Sequence, residues 1–90
     1  MPVAVLIPTP LRQYAEGARE LDVEGHTVDS VLKQVMARYP RLGAQLYAGD
    51  GLRSFVNVFV NEENIRDLGG DGAAVTPGDV VSIIPSIAGG

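Results

Sequence analysis

The chain contains no cysteine, which excludes disulfide staples, thiolate metal sites and a cysteine nucleophile. Any sulfur chemistry would have to use a group other than a thiol. A reducing compartment suits such a composition, and the cytoplasm is the expected location. Long apolar runs are also missing. The opening Met1-Pro2-Val3-Ala4-Val5 has no basic region and its apolar stretch ends by Pro8, too short for a secretory signal or a membrane span. Nor is there a basic cluster. Seven Lys and Arg, scattered from Arg12 to Arg66, stand against eleven Asp and Glu for a net charge of −4. No nucleic-acid partner is expected, because neutralising phosphates needs a basic stripe. A mild acid excess serves solubility first, and second it suits a partner with a basic docking face.

Ninety residues make one domain. A chain of this size buries only about 60 to 65% of its unfolded surface, so its stability must come from a single core. Val3, Val5 and Ile7 alternate on one face of a first strand, and its position at the start suggests a central one. Thr9-Pro10 reads as an N-cap with proline at the first helical position, giving one helical turn over Leu11 to Tyr14 that Gly17 ends. Leu21 and Val23 alternate with Glu20, Asp22 and Glu24, the pattern of a strand with one wet face, pairing antiparallel with the first. From the N-cap Thr27, apolar residues at Val28, Val31, Leu32, Val35, Met36 and Tyr39 trace a helical stripe that Pro40 stops. Leu42 and Leu46 share a face of a short helix, and Gly49-Asp50-Gly51 reads as a turn.

Phe55-Val56-Asn57-Val58-Phe59-Val60 is a strand whose faces differ. An asparagine is expensive to bury without partners, so its row, with Phe55 and Phe59, is assigned to the outer face and the valines to the core. Asn61 to Asn64 is a turn into a brief strand around Ile65 and Arg66, followed by a flexible glycine-rich connection. Pro77-Gly78 fits a type II turn leading into Val80-Val81-Ser82-Ile83-Ile84, where Ser82 marks the outward row with Val80 and Ile84. The order of elements, with one helix on one face of the sheet, is an α+β two-layer arrangement suggesting a β-grasp topology with a mixed four- to five-stranded sheet.

The chain stops at Ala88-Gly89-Gly90. A terminal Gly-Gly carries a carboxylate with no side chain near it and can thread a channel that rejects any Cβ. Extended, residues 86–90 reach roughly 15 to 18 Å, enough to enter another protein's active site. The expected organisation is a folded body over residues 1–85 and a flexible tail over 86–90. Chemistry within the body is not indicated. His26 has no acid or cysteine at a recognisable spacing, Glu62, Glu63 and Asp67 read as solvated turn charges, and Gly69-Gly70-Asp71-Gly72 lacks the Gly-Lys-Ser/Thr ending of a phosphate-binding loop. No nucleophile, base and oxyanion set can be assembled, and no metal or bound cofactor is expected.

Three segments, Phe55 to Glu63, Gly78 to Pro85 and Ile87-Ala88-Gly89-Gly90, resemble the MoaD/ThiS family of ubiquitin-like sulfur carriers. With Ile7-Pro8-Thr9-Pro10-Leu11-Arg12 and the Gly69-Gly70 pair, the chain looks most like the CysO-type branch that serves cysteine biosynthesis. The resemblance implies a carrier whose Gly90 carboxylate is adenylated with ATP by a ubiquitin-activating-like adenylyltransferase and then converted to a thiocarboxylate. It further implies Gly89 as a slender spacer, Ala88, Ile87 and Ser86 as the recognised leash, and Leu6, Phe59 and Ile84 as the face that docks the activating enzyme, unless the segment from Arg41 to Ser54 folds over it. A carboxylate with an ordinary pKa of about 3.3 to 3.7 is ionised and a poor electrophile at neutral pH, which is why activation must precede sulfur attack. Three destinations stay open. A cysteine synthase-type enzyme could accept the sulfur, the tail could insert into the large subunit of molybdopterin synthase, or the chain could modify lysines through isopeptide bonds.

Overall fold

Alternation along the first strand decides which way the sheet faces. In the computed structural model, which describes residues 2–48, 51–53 and 56–85, β1 (Val3–Leu6) buries Val3 and Val5 and turns Ala4 and Leu6 outward. Its antiparallel neighbour β2 (Glu20–Val23) buries Leu21 and Val23 and exposes Glu20 and Asp22. Between the two strands, Thr9–Ala15 forms a 3-10 helix that buries Leu11 and Ala15. Thr9 is not its cap. Pro8 holds that position in extended backbone, and the helix ends at Glu16, which adopts left-handed φ of 55° one residue ahead of Gly17. The reversal thus takes two left-handed residues, and Gly17 closes it by donating to the Arg12 carbonyl at 2.8 Å.

Helix α1 (Val28–Arg38) starts where the hydroxyl of Thr27 accepts the Ser30 N–H at 3.1 Å, while Ser30 Oγ accepts the Thr27 N–H at 3.3 Å. These reciprocal bonds satisfy two donors that a helix start leaves orphaned. Val28, Val31, Leu32 and Val35 are buried, and Met36 and Tyr39 are half-buried. Pro40 ends α1 as its sequence position implies and opens α2 (Pro40–Leu46), which buries Leu42 and Leu46. A two-stranded ribbon follows, β3 (Tyr47–Ala48) against β4 (Gly51–Leu52), with the expected turn residues Gly49 and Asp50 outside the described residues.

Strand β5 (Val56–Val60) buries all three valines. Its hairpin partner β6 is Glu63–Asn64, and Ile65, expected in a strand, instead begins a 3-10 turn over Ile65–Asp67. The cause is the Asn64 side chain, whose oxygen accepts the Arg66 N–H at 2.9 Å and bends the chain out of the ladder. The glycine-rich connection forms a 3-10 turn over Gly70–Gly72, and Ala73 and Val75 beyond it are buried. Ala73 accepts the Val28 N–H and Val75 donates to the His26 carbonyl, tying this stretch to the start of α1. Pro77-Gly78 makes the expected type II turn: Gly78 has φ of 95°, and Asp79 N–H donates to the Thr76 carbonyl at 3.0 Å.

The last described strand, β7 (Val80–Pro85), lies between β1 and β5, parallel to the first and antiparallel to the second. The sheet order is β2-β1-β7-β5-β6. Both helices and the 3-10 helix over Thr9–Ala15 pack on the valine face, so this is the two-layer α+β arrangement that the sequence suggests, with five strands and a second short helix. Among the described residues the buried side chains are all apolar.

Candidate functional site

The face of the sheet turned away from the helices is set by the same alternation. Ser82 sits at its centre. Leu6 pairs with Ser82 across the parallel ladder, and Phe59 pairs with Ser82 across the antiparallel one. Such cross-strand neighbours have Cβ atoms about 4.5 to 5.5 Å apart. Ile84 lies two residues beyond Ser82, opposite Asn57, and Val80 two residues before it, opposite Ala4. Leu6 is 37% exposed and Ile84 48%, while Phe59 and Val80 are half-buried. The three residues singled out from sequence, Leu6, Phe59 and Ile84, therefore converge on one apolar strip.

The segment from Arg41 onward does not cover this strip with its helix. Leu42 and Leu46 of α2 are buried in the core on the opposite face, and Tyr47 and Leu52 pack against that same core. Ser54 and Phe55 lie outside the described residues. Beside the strip, on the edge strand β2, Glu20 stands opposite Leu6 and Asp22 opposite Ala4. Both acids are exposed.

At one end of the strip a polar knot fixes the start of β7. Asn61, with φ of 57°, turns the β5–β6 hairpin; its N–H donates to the Val80 carbonyl at 2.6 Å and its side-chain oxygen accepts the Val80 N–H at 3.1 Å. Its amide nitrogen donates to Asp79 at 3.3 Å, and Asp79 also accepts from the Thr76 N–H and hydroxyl at 2.9 and 3.2 Å. The Thr76 backbone N–H, then the Asn61 amide, hold the Asp79 carboxyl below its ordinary range, with partial burial opposing them. By sequence Asn61 is only a turn residue; its partner Asp79 lies 18 positions away, which local pattern cannot show.

At the other end, Pro85 pairs with Val56, so the chain leaves the sheet beside the beginning of β5. Ser86, Ile87, Ala88, Gly89 and Gly90, expected to form a flexible tail and to carry the covalent chemistry, lie outside the described residues. His26 is exposed, as are Glu62, Glu63 and Asp67. Among the described residues no group of three or more His, Asp or Glu side chains is placed to hold a metal ion, and no helix is long and apolar enough to cross a membrane.

The ThiS family model matches residues 5–90. The chain is 37% identical over 93 aligned residues to the sulfur carrier protein CysO of Mycobacterium tuberculosis, with 100% of both chains covered. It superposes with a TM-score of 0.91 on a chain of the crystal structure of the Amycolatopsis orientalis BexX/CysO complex, at 39% identity over 98% of this chain and 99% of that one. The solution structure of small archaeal modifier protein 1 from Methanosarcina acetivorans gives 0.86 at 32% identity, covering 98% and 95%. The sheet order, the helical layer and these full-length likenesses agree, and the chain belongs to the ThiS family, with the ubiquitin-like β-grasp fold of the sulfur carriers.

Proposed function

We propose that this chain is a sulfur carrier that works through the carboxylate of Gly90. The observation that carries the reading is the likeness to the sulfur carrier CysO over the whole of both chains, joined to a family match that includes Gly89 and Gly90. A ubiquitin-activating-like adenylyltransferase would bind ATP. The Gly90 carboxylate attacks the α-phosphate, pyrophosphate leaves, and the acyl-adenylate makes the carbonyl carbon electrophilic. A sulfur nucleophile then attacks that carbon and AMP leaves, giving a thiocarboxylate whose sulfur is passed on, with cysteine formation as the favoured destination. In this scheme the chain itself is a cytoplasmic substrate and carrier, not an enzyme, and the nucleotide belongs to the partner. Gly89 lets the end enter the partner's channel, Ser86, Ile87 and Ala88 are the leash, and Leu6, Phe59 and Ile84 form the docking strip. Grouped exposed apolar residues of this kind mark contact surfaces.

The deciding experiment is the intact mass of the protein isolated from its native host during sulfur assimilation. Replacement of one terminal oxygen by sulfur is the expected result. A carboxylate left unaltered, and untouched by every acyl-adenylating enzyme of that host, would refute the reading. The likeness to an archaeal modifier protein favours isopeptide modification as a second reading. That one requires high-mass conjugates that vanish when Gly90 is deleted. Service as the small subunit of molybdopterin synthase would instead show as stable co-purification with a large catalytic subunit.

A further inference from the structure

Charge is divided between the two layers. Among the described residues, none of the five sheet strands contributes an arginine or a lysine, whereas Lys33 and Arg38 lie on α1, Arg41 on α2, and Arg12 in the 3-10 helix packed against α2. Asp29 on that layer already pairs with Lys33 at 3.0 Å. On the sheet side, Glu20 and Asp22 follow the apolar strip along β2, each directly across from a strip residue, Leu6 or Ala4. Arg19 lies just ahead of β2, outside the strand. The far margin of the strip is neutral, with Asn57 on β5 and Asn64 on β6 opposite Phe59.

We propose that the outer sheet face selects a protein partner whose apolar contact is bordered on one side only by arginine or lysine side chains, set against Glu20 and Asp22. The inference rests on the docking role given above to Leu6, Phe59 and Ile84, and adds a direction to it. An apolar strip alone fixes neither rotation nor approach. One acidic margin against one neutral margin allows a single charge-matched orientation about the sheet normal, and a cationic helical layer on the opposite side of the domain turns the molecule sheet-first toward a basic surface. Rim charges of this kind act mainly on association rate and register, and salt screens them.

The test is ATP–pyrophosphate exchange by the host's adenylating enzyme with the full-length chain as substrate, followed across ionic strength. Glu20→Lys with Asp22→Lys should raise KM about tenfold at low salt, flatten its salt dependence and leave kcat at saturation unchanged. The same change of charge placed elsewhere, Glu62→Lys with Glu63→Lys, should move KM far less. Unfolding midpoints confirm that each variant is folded; both pairs of acids are exposed, so little change is expected. If the two double variants shift KM equally, net charge is responsible and the proposal fails. If the β2 variant leaves KM unaltered while Leu6→Arg raises it, the acidic margin is refuted and the docking strip stands. If Leu6→Arg and Ile84→Arg are also without effect, the docking role itself is lost.

Discussion

Asn61 combines two properties that few side chains supply together: tolerance of φ at 57° and an oxygen that accepts the Val80 N–H. Asn61→Gly keeps the first and loses the second, which should cost about 0.5 to 1.5 kcal/mol in urea unfolding. Asn61→Ala loses both and should cost about 1 to 2 kcal/mol more. Equal losses in the two variants would mean that the backbone conformation carries no strain. Asp79 lends itself to a pH test. Its carboxyl titrates below the ordinary carboxylate range because the Thr76 N–H, then Asn61, stabilise the charged form. A carboxyl with its folded pKa depressed contributes stability that is present above the unfolded value of about 3.9 and disappears as pH falls through the folded value. The stability gap between wild type and Asp79→Asn should therefore be constant near neutrality and shrink once the pH drops below about 4. The carboxylate is in part exposed, so the gap will be small. Little of this knot was legible beforehand. Asn61 and Gly78 announce turns by residue type alone, whereas the bonds from Asn61 to Asp79 and Val80 depend on β7 arriving from another part of the chain.

At the scale of elements, the sequence was most informative where a period or a cap acts locally. The Thr27 cap, the stripe from Val28 to Tyr39 and the stop at Pro40 all belong to one helix, and α1 runs as those signals require. The inward valines of β5 and the outward Ser82 row were readable because burying Asn57 or Ser82 would be costly, and this logic put Phe59 and Ile84 in outward rows, whereas grouping Leu6 with them needed the β-grasp reading. The antiparallel pairing of the first two strands was expected and is found, but which strand joins the two hairpins could not be read. The acidic margin beside Leu6 follows from the β1–β2 register, which alternation does not specify. Local competition explains the other misses: the Asn64 side chain drew Ile65 into a 3-10 turn, and Glu16 took a left-handed conformation usually left to glycine. Packing between α1 and α2 supplies another check. A Cβ on Gly43 would come within 2.7 Å of Met36 Cγ and 3.1 Å of its Cβ, and the latter cannot swing away. Gly43→Ala gains about 1 kcal/mol of helix propensity but overpacks the contact by about 1 to 3 kcal/mol, so a net loss of up to about 2 kcal/mol is expected. In a Met36→Ala background the same substitution should become neutral or stabilising, and a double-mutant cycle measures that coupling.

For the molecule as a whole, the buried apolar residues run from Val3 to Ile83, and nothing beyond Ile83 is among the buried side chains of the described residues. On the proposed reading of Gly89 and Gly90 as a handle, removing them should leave the thermal midpoint nearly unchanged while abolishing adenylation. A large drop in the midpoint would show that the end of the chain is packed structure and not a handle. The α+β class and the two layers followed from the order of elements. The placing of β7 in the middle of the sheet did not, because a parallel pairing of Ala4 with Val80 joins parts of the chain that no window on the sequence sees together.

That central β7 has a consequence for when the carrier becomes usable. The hairpins β1–β2 and β5–β6 share no ladder until Val80–Pro85 slides between them, so the sheet remains two unconnected halves while the ribosome still holds that segment. Non-local pairing of this sort is paid for late in folding. A chain broken off before Val80 therefore lacks the one strand that bonds to both hairpins, and with it the centre of the outer sheet face.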